Sequence, residues 1–77
     1  MNLTDLMVRI RRLEQLSRGL ARELALWKAC NDPLLYLERR TYLGQIQNAS
    51  SAIEAARALL VQVRQRLENE RSRQAAR

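Results

Sequence analysis

Asn31-Asp32-Pro33 is the only strong helix-breaking stretch between two long runs whose apolar residues recur at helical spacing, and it decides what the chain can become. Asp32 is a favoured N-cap. Pro33 suits the first helical position, where its missing N–H would be unpaired anyway and its φ is already helical. Asn31 tolerates the left-handed conformation that ends a preceding helix. A stop and a start within about three residues leave room only for a tight reversal. The expected fold is therefore all-α: an antiparallel two-helix hairpin, coiled-coil-like, turning at about residues 30–33.

The apolar pattern supports this on both sides of the turn. Leu3, Leu6, Ile10, Leu13, Leu20, Leu24 and Trp27 follow a 3-4-3-4 heptad spacing in which Ser17 is the one polar member. Such a seam marks a long helix packed on another. Helix 1 is expected over about residues 3–30, roughly 40 Å at 1.5 Å per residue. Asn2 or Thr4 can cap its start, Asp5 faces the positive end of the dipole and Lys28 the negative end. The same spacing returns at Leu35, Arg39, Tyr42, Ile46, Ala49, Ile53, Ala56, Leu60, Val63 and Leu67, giving helix 2 over about 33–68.

Folding the two seams about the turn pairs Trp27 with Leu35, Leu24 with Arg39, Leu20 with Tyr42, Ser17 with Ile46, Leu13 with Ala49 and Ile10 with Ile53. Val63 and Leu67 are left without partners. The charged segment 68–77 lacks apolar periodicity and is expected to fray. Gly44, Gln47-Asn48 and Ser50-Ser51 are weak helix formers, but the heptad keeps phase across them, so either continuity or a break is open at this point. Gly44 falls level with Gly19 in this register. Both are either tolerated or mark a close approach of another backbone.

A chain of 77 residues is one domain, and a core of this size rarely supplies more than about 3–5 kcal/mol without a staple or association. No staple is at hand: Cys30 is the only cysteine, and the chain has no histidine. No uncharged apolar run approaches the roughly 20 residues needed to span a bilayer. Met1-Asn2-Leu3-Thr4-Asp5 also lacks the basic-then-apolar order of a signal peptide. These features point to the cytoplasm. Nothing supports catalysis, a cofactor or a metal: there is no imidazole base, no glycine-rich phosphate loop and no ligand spacing. Cys30 reads as a small apolar residue at the turn.

More apolar residues are present than one hairpin seam uses. Met7, Leu16, Leu43, Ala52 and Leu59 flank it and are the candidate protein-partner interface, while Leu26, Leu34, Leu37 and Val61 stand further out. Ala49, Ala52, Ala55 and Ala56 thin the middle of helix 2 enough for a third helix to lie close. Two readings account for the surplus: the core of a homodimeric four-helix bundle when the chain is alone, or a surface for a different helical partner. Trp27, Tyr36 and Tyr42 gather near the turn, as hairpin-tip core or as an interface anchor.

The net charge of +6 invites a nucleic-acid reading, with Arg66, Arg71, Arg73 and Arg77 as its best footprint. Against it, Glu14 with Arg18, Glu54 with Arg57 and Arg64 with Glu68 are spaced for helical ion pairs, and no aromatics interleave with the arginines.

The turn Asp32-Pro33-x-x-Tyr36, followed by Tyr42-Leu43, Ile46 and Ile53 after a Leu-rich first helix, resembles the small co-chaperones of the type III secretion needle protein, the YscE/SsaE/EscE-like group. The resemblance covers Leu3 to about Arg66, and the basic character with its Arg-rich tail departs from the group's pattern. It implies a cytoplasmic protein that binds and stabilises a larger chaperone of tetratricopeptide-like repeats. Through that chaperone it would act on the needle subunit, which the pair keeps monomeric before export. The alternative function is a homodimeric basic hairpin that binds nucleic acid.

Overall fold

The structure is a computed structural model and describes residues 1–75. It is an all-α hairpin of two helices, α1 (Leu3–Ala29) and α2 (Tyr36–Ala75), joined through a short 3₁₀ turn, Pro33–Leu35. The rod measures 66 × 16 × 15 Å.

Local chemistry fixes the ends. Asn2 caps α1 reciprocally: its side-chain oxygen accepts from the Asp5 N–H at 2.9 Å, and its own N–H donates to the Asp5 carboxylate at 3.4 Å. That capping box satisfies one of the orphan donors of the first turn. At the other end α1 stops because Cys30 turns extended (φ −70°, ψ 118°). No residue among those described has positive φ, so the left-handed cap expected at Asn31 is not used. Arg39 takes over the task such a cap would perform. Its Nε donates to the Trp27 carbonyl at 2.9 Å and its NH2 group to the Lys28 carbonyl at 3.1 Å. A guanidinium fork thus closes two exposed carbonyls at the negative end of the helix dipole.

Asp32 and Pro33 start the return, as their chemistry predicts, but through a tighter turn than an α-helix. Asp32 Oδ1 accepts from the Leu34 N–H at 2.9 Å, and its carbonyl accepts from the Leu35 N–H at 3.0 Å. The first three residues of the expected helix 2 are therefore 3₁₀, a common opening turn. From Tyr36 the helix runs unbroken to Ala75, through Gly44 and the Asn and Ser residues after it. Residues 68–75, in the segment expected to fray, are helical and exposed. After Pro33 the described chain holds no breaker, and its Glu, Arg, Gln and Ala are good helix formers. Ala76 and Arg77, the end of that segment, lie outside the described residues.

The two helices meet in a register different from the expected one. Trp27 stacks on Tyr42 instead of facing Leu35 (ring centroids 4.9 Å apart, planes 5° apart). The Ser17 hydroxyl donates to Glu54 Oε1 at 3.0 Å where the expected partner was Ile46. Arg57 Nε donates to Glu14 Oε1 at 3.3 Å. Each contact displaces α2 by about seven residues, two helical turns. The physical reason lies in α1's polar members. The expected pairing set the Ser17 hydroxyl against an isoleucine, whereas the observed one gives both Ser17 and Glu14 a polar partner across the hairpin.

The shift also rotates α2. Leu43, Ser50, Arg57 and Arg64 turn toward α1 and are half-buried, while the expected seam members Leu35, Tyr42 and Ala56 are exposed. Val63 and Leu67, expected to have no partners, are half-buried, because the start of α1 now lies over the later part of α2. Among the described residues only Leu6, Ile10 and Ile46 are buried, so the core is a thin line rather than a filled interior.

Candidate interaction surface

The two edges of the seam differ in chemistry. One is closed by polar contacts: Ser17 with Glu54, Glu14 with Arg57, and Arg57 in turn 3.8 Å from Glu54. Glu14 is spent across the hairpin on Arg57, not on Arg18 as its spacing allowed. The Glu54–Arg57 and Arg64–Glu68 pairs form within α2, the latter at 3.9 Å.

The other edge is apolar and open. Trp27 and Tyr42 mark it near the turn, where a depression lined by Glu23, Leu26, Trp27, Cys30 and Leu35 reaches the surface. Further along, Arg9, Arg12, Leu13 and Leu60 line a second depression between the helices. On α2 the residues that follow Tyr42 at three- and four-residue steps continue this edge: Gln45, Ala49, Ala52, Ala56, Leu59 and Val63. A third depression, on α1, is lined by Arg12, Gln15, Leu16, Gly19, Leu20 and Glu23. Gly19 widens it, since an added Cβ there would meet nothing within 4 Å. Gly44 is equally open, so neither glycine accommodates a close approach within the chain.

Of the residues expected to receive a partner, Leu16 (56 % exposed), Leu59 (60 % exposed) and the exposed Ala52 share this open edge. Met7 is exposed but lies toward the polar edge, on the same side of α1 as Glu14, one heptad on. Leu43 is half-buried beside Ile46 and helps close the hairpin, an outcome of α2's rotation. Tyr42 and Leu26 belong to the open edge and were placed differently by spacing alone, Tyr42 as seam and Leu26 as an outlying residue. The signal that finds Tyr42 is the aromatic pairing with Trp27. At the tip, Leu34, Tyr36 and Leu37 are strongly exposed and form a separate apolar cap.

No protein-family profile, curated protein or solved structure matches the chain. Among the described residues no helix is long and apolar enough to cross a membrane.

Proposed function

We propose that this chain is a type III secretion co-chaperone that binds and stabilises a repeat-type chaperone in the cytoplasm, and so keeps the needle subunit monomeric before export. The observation that carries the proposal is the open apolar edge. A hairpin with three buried side chains among the described residues leaves Leu16, Leu59, Ala52 and Ala56 uncovered on one face, where a helix of a repeat protein could lie. The kind of partner proposed follows from the resemblance of the Asp32-Pro33-x-x-Tyr36 turn and the helices around it to that co-chaperone group. Burial of a leucine contributes about 1.5–3 kcal/mol, so two of them account for much of a moderate affinity.

Co-purification from the native cell tests the proposal, with a repeat-type chaperone and a small needle protein retained in stoichiometric amounts as the expected result. Leu16→Glu with Leu59→Glu should leave the hairpin helical by circular dichroism and abolish that retention, because both carboxylates would be desolvated in the complex. Retention at full affinity by the folded double variant would place the partner surface elsewhere, with the Leu34 and Leu37 cap next in line.

The nucleic-acid alternative has one observation in its favour. Arg11, Arg18 and Arg22 are exposed on α1's outward face and make no ion pair among the described residues. Salt-sensitive binding of a duplex at low ionic strength, with no protein partner retained, would favour that reading over the first.

A further inference from the structure

The open edge carries a charge pattern that the apolar surplus does not explain. On α1, Arg9, Leu16 and Glu23 are spaced by heptads and so form one line along the helix. On α2, Glu38, Gln45, Ala52, Leu59 and Arg66 form another. Because the helices are antiparallel, Arg9 and Arg66 both lie toward the open end of the rod, and Glu23 and Glu38 both lie toward the turn. Each line is therefore basic at one end, acidic at the other, and uncharged between. Leu16 is midway between Arg9 and Glu23, and Ala52 is midway between Glu38 and Arg66. None of these four charged residues forms an ion pair within the described chain.

We infer that this face pairs with a second copy of the same chain, laid antiparallel across a two-fold axis that runs between the copies through Leu16 and Ala52. That one operation sets Arg9 over Glu23 of the other copy and Arg66 over its Glu38, and repeats both contacts by symmetry. It brings α1 against α1 and α2 against α2, so all neighbours in the resulting four-helix bundle are antiparallel. Ala52 and Ala49 at the centre allow close approach, and Leu59 passes over Gln45. A parallel pairing would stack arginine on arginine and glutamate on glutamate, so the charges select the orientation. The two-helix part of the rod, about 40 Å long at 1.5 Å per residue of the 27-residue α1 and 16 Å wide, is of the order of the roughly 800 Å² per partner of a standard interface. The pairing does not depend on the identity of any chaperone. A heterologous partner that takes the same edge would displace the second copy.

Sedimentation equilibrium of the full chain and of charge-reversed variants tests this. The unaltered protein is expected to dimerise. Arg9→Glu with Arg66→Glu should weaken the dimer by at least about tenfold, because four attractive contacts become repulsive. Adding Glu23→Arg and Glu38→Arg to that variant should restore it, with the net charge back at +6. A monomeric parent protein at about 100 µM, well above the micromolar affinities typical of interfaces this size, would overturn the inference, as would a first variant that dimerises unchanged. Failure of the fourfold variant to recover while still helical would exclude this orientation.

Discussion

Arg39 stands where a heptad seam would ordinarily place an aliphatic side chain, and the carbonyls beneath it explain why. Its fork holds the last turn of α1 through Trp27 and Lys28, which fixes the angle at which the chain reverses. Arg39→Ala should cost stability toward the lower end of the about 1.5–3 kcal/mol of a charged hydrogen bond, since the site is only half-buried. Arg39→Lys should recover less than half of that, because an ammonium keeps the favourable charge but not the bidentate geometry. Urea unfolding of the three proteins measures both differences. Equal stability of all three would mean that water caps α1 as well as the arginine does.

At the scale of the elements, the contact that most directly reports the register is Trp27 on Tyr42. A double-mutant cycle with Trp27→Leu and Tyr42→Leu should give a coupling of about 0.5–1.5 kcal/mol, the range for a stacked aromatic pair. A cycle between Leu20 and Tyr42, neighbours only in the register that spacing suggests, should be additive within about 0.5 kcal/mol. The reverse result would restore that other register. Much of the element plan was legible in the sequence: the turn at Asp32-Pro33, both helices, and the continuity of α2 through Gly44 follow from capping chemistry and heptad phase. The register was not, because α2 carries two adjacent lines of residues that share Ile46, Ile53, Leu60 and Leu67. Apolar periodicity favours the line through Tyr42, Ala49, Ala56 and Val63, because the other holds Ser50, Arg57 and Arg64. The choice rests on polar pairings, Ser17 with Glu54 and Glu14 with Arg57, which spacing does not reveal. The same shift moved Leu43 into the seam and Tyr42 out to the open edge, while Leu16, Ala52 and Leu59 are exposed on one edge, and whether a partner binds there is a matter for the binding experiments.

For the molecule as a whole, length and slenderness set the energetics. A rod 66 Å long and 15 Å thick has little interior, and a core of three buried side chains among the described residues, flanked by a half-buried seam, cannot offset the conformational entropy of two long helices by a wide margin. Surface ion pairs such as Arg64–Glu68 add about 0–1 kcal/mol each and do not change that balance. On the proposed function and the inferred self-association, the chain's stability is completed by what covers its open edge, another copy or a larger helical partner. Urea unfolding of the purified chain over a wide range of protein concentration tests this claim most directly. The account predicts a stability no greater than about 3–5 kcal/mol at high dilution, rising with protein concentration as association is restored. A stability well above about 5 kcal/mol that stays constant across the concentration series would contradict it, for the hairpin would then be complete on its own.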